Sequence, residues 1–459
     1  MYSTTLNRAS LLILSILLIA SQQAAAQAGQ LDSTFGTGGI FTTNFTEDNF
    51  APIDNAVAIQ SDGKIVLGGA TPNGPSLLRL NTNGTLDSSF GSGGIVTNTF
   101  GEDVADVFAV AIQPDGKILA AAQGFSGPIG RFNSDGSIDT TFGNGGFATS
   151  MSLFTTIGSP NAFALQADGR ILITGSGLIG RYTSTGQLDP TFGTNGIAPL
   201  NAATATAMVV LPSGQILVTT GSGAPSLISV GAGVSFNLPI PQAGAIARYN
   251  ANGSLDTTFG ISGQAACVAS AAGLAVQSNG KIVVAGTITS ALLTAPANGG
   301  TVVINNQTGF GLVRYNANGS IDTSFNPGTG IGTGGGVITG FGNTFPNGGA
   351  FALAIQSNGA IVVAGVAGVP GVPNALGTNF SSSSMVLARY TPTGHLDNTF
   401  GTNGIVSTSV TPGPISFGQR LDPTARRMAI SRARSAVRAL RIGCRGWHTP
   451  PTALCRPGP

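Results

Sequence analysis

The sequence predicts an all-β fold, a β-propeller of repeated four-stranded antiparallel blades. Three observations carry this prediction. A polar motif of the form LDxTFGxxG recurs along the chain, and an apolar module lies between its copies. The copies begin 50 to 75 residues apart, which suits four-stranded units with insertions.

The polar motif is the first repeated element. Each full copy is a short strand with an arginine, a turn, a Leu-Asp or Ile-Asp pair and a Gly-Ile-Val type of strand. Full copies begin at Leu77, Ile129, Ile179, Ile246, Leu312 and Leu387, and a half copy begins at Leu31.

The apolar module is the second repeated element. Each copy is two apolar runs split by Asp-Gly, Asn-Gly or Ser-Gly, which predicts a tight β-hairpin. Six copies predict six blades, with the strand at 404–409 as the outer strand of the last. The strand at 39–44 is then left over, unless a seventh strand set belongs after residue 410. The modules begin at Ala56, Ala109, Ala162, Ala207, Gly273 and Ala352.

Residues 1–26 have the pattern of an export signal. Arg8 precedes the apolar run 11–20, and Ala24 to Ala26 offer a small-residue cleavage site. We therefore expect an exported protein that is secreted, periplasmic or on the cell surface. The apolar run is too short for a membrane-spanning helix, and we expect none in the mature chain.

Charge is divided unevenly between the repeat region, residues 31–410, and the tail, residues 416–459. Residues 31–415 carry 10 Lys and Arg against 17 Asp and Glu, whereas the tail carries 9 Arg and one Asp. An acidic body argues against nucleic acid as a partner. The tail shares nothing with the repeats; it is either a basic arm for an anionic surface or a disordered or out-of-frame stretch.

Arginine and aspartate recur eight residues apart in every full repeat. Because an active site is usually made once, we interpret these pairs as structural ties between a strand and the connection to the next blade. The glutamines of the apolar module, such as Gln60 and Gln277, are expected to satisfy backbone groups near the turn. The predicted pairs are Arg79 with Asp87, Arg131 with Asp139, Arg181 with Asp189, Arg248 with Asp256, Arg314 with Asp322 and Arg389 with Asp397.

Catalytic, cofactor and metal motifs are sparse. The segment at Asn133 resembles a calcium loop, but the alignment puts Arg131 where the first carboxylate belongs. His395 occupies a turn position that is filled elsewhere by Ser, Thr or Gln. We therefore predict no catalytic residues, no metal site and no cofactor.

Four uncharged insertions distinguish the later repeats. Residues 221–245, 287–311 and 366–385 separate the third strand of a unit from the fourth. Residues 326–349 separate the first strand, the Gly-Ile-Val run, from the second strand, which precedes the tight turn. In a meander these connections emerge on one face, where variable loops often bind ligands. The alternative is that they are tolerated decorations. The candidate binding-loop residues are Phe236, Phe310, Phe341, Phe345 and Phe380.

The succession of LDxTFGxxG, AxxIQxDGKIVVxG and RYNxDG resembles the delta-60 repeat family. That resemblance covers residues 31 to about 410. It implies a bacterial exported β-propeller of unknown function and supplies no catalytic residues. This chain departs from the pattern at Leu211, at Asn326 and in the tail.

Two function classes are compatible with the sequence. The first is a non-catalytic binding or surface protein that holds an unknown protein or glycan on its long-loop face. The second is a hydrolase or lyase that acts on a glycan at the central channel. Convergence of at least two titratable side chains in one concave pocket would favour the enzyme.

Overall fold

The computed structural model describes residues 29–41, 56–71, 74–97, 100, 104–124, 129–148, 160, 162–175, 177–200, 202, 204–220, 229–230, 234–235, 244–267, 270–294, 303–327, 335–341, 347–370 and 380–408. All of them belong to one compact unit, residues 1–45 and 52–410. A second unit, residues 46–51 and 411–459, lies outside the described residues, as do the predicted export signal and the basic tail.

Six four-stranded antiparallel blades follow one another along the chain. The first has β1 (Ala56–Ile59), β2 (Ile65–Thr71), β3 (Gly74–Leu80) and β4 (Ile95–Thr97); the second has β5 (Val104–Ile112), β6 (Ile118–Gly124), β7 (Ile129–Phe132) and β8 (Phe147–Ala148). The third has β9 (Ala162–Leu165), β10 (Ile171–Gly175), β11 (Leu178–Tyr182) and β12 (Ile197–Pro199).

The fourth blade has β13 (Ala205–Val210), β14 (Ile216–Thr220), β17 (Ala245–Tyr249) and β18 (Gln264–Ala266), with β15 (Ser229–Val230) and β16 (Val234–Ser235) as a separate small hairpin. The fifth has β19 (Ser270–Val276), β20 (Ile282–Thr294), β21 (Val303–Tyr315) and β22 (Gly336–Thr339). The sixth has β23 (Asn347–Ile355), β24 (Ile361–Pro370), β25 (Phe380–Tyr390) and β26 (Ile405–Thr408).

The blades form a ring, which confirms the predicted β-propeller with six four-stranded blades. Strand order in each blade follows chain order, and the first strand of each packs on the first strand of the next, from β1 through β5, β9, β13 and β19 to β23. Regular structure in the described residues is all strand and turn. None of them forms a helix of the length and hydropathy that crossing a bilayer requires.

The apolar core lies between blades rather than within one sheet. Val66 and Phe90 of the first blade pack with Ile118 and Phe132 of the second, and each later pair of neighbours has its own cluster. Short alternating strands present one apolar face to each neighbour, so each interface stabilises both of the blades that form it. The single described cysteine, Cys267, is buried between the fourth and fifth blades.

The described parts of two of the four insertions are strands rather than the expected loops. Residues 287–311 lengthen β20 and β21 to 13 residues each, and residues 366–385 lengthen β24 and β25 in the same way. Their β-branched and Ser/Thr-rich sequences extend the hairpins beyond the blade. A parallel bridge from Thr308 to Asn347 joins the fifth and sixth blades into one sheet.

The sequence predicted that the N-terminal half copy is left over, but the structure places it in the ring. Its Gly36 N–H donates to Asn83 O at 2.7 Å, the same bond that Gly91 makes to Asp135 O in the next blade at 2.7 Å. Residues 29–41 therefore contact the first blade in the same way as the outer part of each blade contacts the blade that follows it.

The same segment also contacts the sixth blade. Gly29 has a φ of 95°, close to the 87° of the turn glycine Gly136 in the second blade. A Cβ on Gly29 would meet Val406, Gly401 and Phe400, as one on Gly136 would meet Val96, Gly91 and Phe90. The half copy thus occupies a seventh position between the sixth blade and the first.

Glycine is required where each polar motif turns toward the next blade. Gly143 has a φ of 56°, and its N–H donates to Thr185 O of the third blade at 2.8 Å. A Cβ there would collide with the carbonyl oxygen of Phe147. Asn326 takes the place in the fifth blade with a φ of 48°, because asparagine tolerates the left-handed region better than other non-glycine residues.

Gly143→Ala should destabilise the protein far more than Gly145→Ala. Both positions have positive φ, 56° and 62°, but a Cβ at Gly145 meets nothing within 4 Å. The free energy of unfolding should fall by about 1 kcal/mol in both variants because alanine disfavours positive φ. Only Gly143→Ala should lose about 1–3 kcal/mol more, because its Cβ collides with the backbone. Thermal unfolding midpoints of the two variants measure the difference, and equal midpoints would contradict this account.

Candidate functional site

The most repeated polar feature is a cluster that we call the arginine cluster, defined in the second blade by Arg131, Asp139, Thr141 and Phe142. Arg131 Nε donates to Asp139 Oδ2 at 2.7 Å, and Nη2 donates to Thr141 Oγ1 at 3.2 Å. The guanidinium carbon lies 4.7 Å from the centre of the Phe142 ring. The motif DxTF therefore supplies an ion pair, a hydroxyl acceptor and an aromatic face to one arginine.

Every complete blade repeats this geometry. The Nε to Oδ2 distances of the six arginine–aspartate pairs run from 2.6 to 2.9 Å, and the guanidinium to ring distances run from 4.5 to 4.8 Å. The pairs are Arg79 with Asp87, Arg131 with Asp139, Arg181 with Asp189, Arg248 with Asp256, Arg314 with Asp322 and Arg389 with Asp397.

The remaining nitrogen of the arginine reaches the following blade. Arg131 Nη1 donates to Ser184 O, in the turn between the third and fourth strands of the third blade, at 2.9 Å. The corresponding bonds run from Arg79 to Ser134 O, from Arg181 to Ala251 O at 2.5 Å, from Arg248 to Ala317 O at 2.6 Å and from Arg314 to Pro392 O at 2.5 Å. The arginines of the first five blades therefore each link their own blade to the next.

A third charged or polar partner joins most clusters, and our sequence reasoning did not identify it. Lys117, one residue after the tight turn of the apolar module, donates from Nζ to Asp139 Oδ2 at 2.5 Å. A lysine, arginine or glutamine directly after the turn glycine in five of the six apolar modules was the sequence signal for this contact. Lys64, Arg170, Gln215 and Lys281 contact the corresponding aspartates, and the sixth blade has Ala360 there.

Two glutamines of the apolar module contact the arginine of their own blade. Gln277 Oε1 accepts a hydrogen bond from Arg314 Nη1 at 3.3 Å, and Gln60 Oε1 lies 3.5 Å from Arg79 Nη1. In these two blades the glutamine oxygen therefore lies beside the arginine cluster. Leu211 replaces the glutamine in the fourth blade.

The aspartates are held in the charged form. The hydroxyl of Ser89 is the main cause that lowers the pKa of Asp87. Burial raises the pKa of Asp139, but the hydrogen bonds from Lys117 and Thr141 outweigh it, so that pKa also lies well below 3.8. Burial also raises the pKa of Asp322, but the hydrogen bonds from Lys281 and Ser324 outweigh it and the pKa is lowered. These carboxylates are ion-pair partners and not proton donors at neutral pH.

The candidate binding-loop aromatics fall into two groups. Phe310 is fully buried, and Phe341 packs edge-on against it with ring centres 4.6 Å apart. Both therefore belong to the core between the fifth and sixth blades. Phe236 and Phe345 lie outside the described residues, and Phe380 is described only as backbone of β25.

Two of the long connections meet at one place. The bridge from Thr308 to Asn347 and the contact of Phe310 with Phe341 bring residues 287–311 beside residues 326–349. Residues 287–311 contribute an antiparallel ribbon in which Ile288 to Thr294 pair with Val303 to Gly309. This ribbon projects past Thr287, the last residue of β20 that pairs with β19.

Grooves in the described region carry little titratable chemistry. One groove lies between Gly29 to Leu31 and the sixth blade, a second between Phe341 and β26, and a third between the fourth and fifth blades. Arg248, in the third groove, is the one titratable residue among their lining residues. Within the described residues, no group of three or more His, Cys, Asp or Glu side chains could hold a metal ion.

A repeated interblade arginine in a ring of four-stranded sheets defines a β-propeller repeat protein. Five of its repeats match a family described as "Domain of unknown function (DUF5122) beta-propeller", over residues 60–90, 113–142, 166–192, 232–259 and 299–325. Each matched segment contains the arginine-bearing strand and the motif that follows it. Five repeats of this chain are thus similar to those of a β-propeller family of unknown function.

The solved structures to which this chain is similar are distant from it in sequence. A Bacteroides caccae protein of unknown function is 17% identical, with 58% of this chain and 78% of that one covered and a TM-score of 0.30. A Trichoderma reesei carbohydrate-active enzyme of family AA12 is 13% identical, with 80% and 86% covered and a TM-score of 0.35. A Xanthomonas campestris gluconolactonase is 12% identical, with 52% and 70% covered and a TM-score of 0.31. No curated protein matches significantly.

Asp139→Asn should destabilise the protein more than Asp397→Asn. The Asp139 side chain is 5% exposed and contacts Arg131 and Lys117, whereas the Asp397 side chain is 20% exposed and its blade has Ala360 in place of the lysine. Leaving Arg131 buried without its carboxylate should cost about 3 kcal/mol, and the loss at the less buried pair of Arg389 and Asp397 should be about 1 kcal/mol or less. Denaturant unfolding of both variants measures this, and equal losses would contradict it.

Acid should destabilise the protein through the same aspartates. Their pKa values are lower in the folded chain than in the unfolded chain, so the unfolded chain binds more protons as the pH falls. The stabilisation is complete at neutral pH and should be lost progressively below about pH 4. Calorimetric midpoints across that range test this. Asp139→Asn should show a shallower decline, and a wild-type midpoint that does not fall below about pH 4 would contradict the assignment.

Proposed function

We propose that this chain is an exported, non-catalytic β-propeller of the delta-60 repeat type. We propose that it binds a protein partner on its long-loop face, the face that carries the long insertions. The observation that supports this most is the ribbon formed by residues 288–294 and 303–309. Its seven residue pairs continue the β20–β21 hairpin past the blade and would extend it by about 20 Å.

The ribbon offers backbone edges to a partner. Beyond Thr287, β20 pairs only with β21 among the described strands, and β21 has a further neighbour only at Thr308 and from Phe310 onward. Natural proteins usually protect such edges with charged residues, but residues 287–311 contain none. An extended segment of a partner could add to this edge through main-chain hydrogen bonds.

A protein partner fits the aromatic residues better than a glycan does. Sugar rings bind best to exposed aromatic faces, and the four repeat tyrosines Tyr182, Tyr249, Tyr315 and Tyr390 are buried. Phe310 is buried as well. The acidic repeat region disfavours nucleic acid as the partner.

The alternative is a hydrolase or lyase that acts on a glycan at the central channel. It needs titratable side chains that converge in a pocket. The aspartates of the arginine clusters are already ion-paired. Arg248 is the one titratable residue that lines the three described grooves. This distribution favours binding over catalysis. Export rests on the signal-like residues 1–26.

Trimming the ribbon tests the proposed function. A variant with Asn-Gly in place of residues 290–307 keeps the pair Thr289–Thr308 and the bridge from Thr308 to Asn347, and should fold with a midpoint near that of the wild type. A screen of the wild type against purified envelope proteins and a glycan array should give a saturable protein partner, and the trimmed variant should bind it at least about tenfold more weakly.

A matched control shortens the hairpin of the sixth blade instead, within residues 368–382. This variant should keep the affinity of the wild type if the β20–β21 ribbon is the site. Full binding by the ribbon-trimmed variant would contradict the site, and wild-type turnover of any arrayed glycan would favour the enzyme.

A further inference from the structure

The seventh position of the ring contains an outer segment without inner strands among the described residues. Residues 29–41 lie between the sixth blade and the first and make the contacts of a turn and outer connection. In each complete blade that connection is preceded by three strands. The inner strands of the ring are packed in series from β1 to β23, and no comparable packing joins the described strands β23 and β1.

The first blade has an exposed apolar face at this position. Val57 and Ile59 of β1 are 58% and 69% exposed. The residues at the same places in the other blades pack against the blade before them, for example Val110 with Ile112 and Leu353 with Ile355. The face of β1 is therefore built for an interblade core.

The sixth blade has the complementary face. Leu387 and Val362 are partly exposed, whereas their counterparts Ile129 and Leu119 in the second blade are fully buried against the third. Val406 of the outer strand is also partly exposed and borders the groove beside Gly29. Both walls of the seventh position thus present side chains that every other interface buries.

Asp32 adds a charge requirement to these two apolar walls. It accepts hydrogen bonds from Thr34 N at 2.9 Å and Thr34 Oγ1 at 2.6 Å, as Asp139 does from Thr141. The six aspartates at this place in the complete blades each bind an arginine eight residues earlier, but the sequence has Ala24 there. Asp32 is exposed. An occupant with an arginine on its third strand would restore the cluster.

Every full repeat of this sequence is already part of a complete blade. The six apolar modules and six arginine-bearing strands form the six complete blades. We therefore propose that the seventh position is a binding site for a three-stranded β-sheet from another polypeptide, one that carries the apolar module and the arginine strand of this repeat. The occupant would pack between Ile59 and Leu387 and pair its arginine with Asp32.

A synthetic peptide with the sequence of residues 104–134 is a suitable probe, because those residues form β5, β6 and β7 and include Arg131. Labelled peptide is titrated with the full chain and followed by fluorescence anisotropy. We expect saturable binding with a 1:1 ratio. Ile59→Asp and Asp32→Asn alter exposed side chains, so both variants should keep the unfolding midpoint and bind at least about tenfold more weakly.

Specificity for the ion pair is tested with an Arg131→Gln peptide. The change should weaken binding to the wild-type chain by about tenfold and have a much smaller effect on the Asp32→Asn chain, since the two substitutions remove one interaction. The ribbon-trimmed variant should bind the peptide as the wild type does, which separates this site from the proposed protein-binding face.

Three results would overturn the proposal. One is the absence of saturable peptide binding to the wild-type chain. Another is binding that Ile59→Asp and Asp32→Asn leave unchanged, which would place the peptide elsewhere. The last is binding that appears only after residues 411–459 are deleted, which would assign the position to a segment of this chain.

Discussion

The ring depends on the hydrogen bonds that the arginines of the first five blades donate to a carbonyl of the next blade. A guanidinium has five donors in a fixed plane, so Arg131 can bind Asp139, Thr141 and Ser184 O at once without changing its orientation. The Phe142 ring covers one face of the guanidinium. Because the cluster is buried, each of these partners is needed to offset the cost of removing the charge from water.

The fold could be predicted from sequence because its information is local and repeated. The Asp-Gly and Asn-Gly turns and the apolar alternation specify strand pairs, and six copies of the apolar module predict the six blades that the structure has. The insertions were harder to interpret. Residues 287–311 carry no alternation that distinguishes a loop from a continued hairpin, and only the register from Ile282 to Thr294 shows that the strands continue.

The clusters were only partly visible in the sequence, for a physical reason. The eight-residue spacing pointed to an arginine–aspartate pair because both partners are side chains. The interblade acceptors are main-chain carbonyls of unlike residues, such as Ser184, Ala251 and Pro392, so no residue type marks them. The half copy at Leu31 posed a similar difficulty, since its place between the sixth and first blades depends on contacts that are distant in sequence.

The bridge from Thr308 to Asn347 makes the ring mechanically uneven. Elsewhere, neighbouring blades are separate sheets coupled by side chains and by single hydrogen bonds to turns. These blades could therefore separate without loss of backbone pairing between strands. The fifth and sixth blades share a backbone pair, and Phe310 packs against Phe341 beside it. Those two blades should behave as one cooperative element, and strain on the ring would concentrate at the remaining junctions.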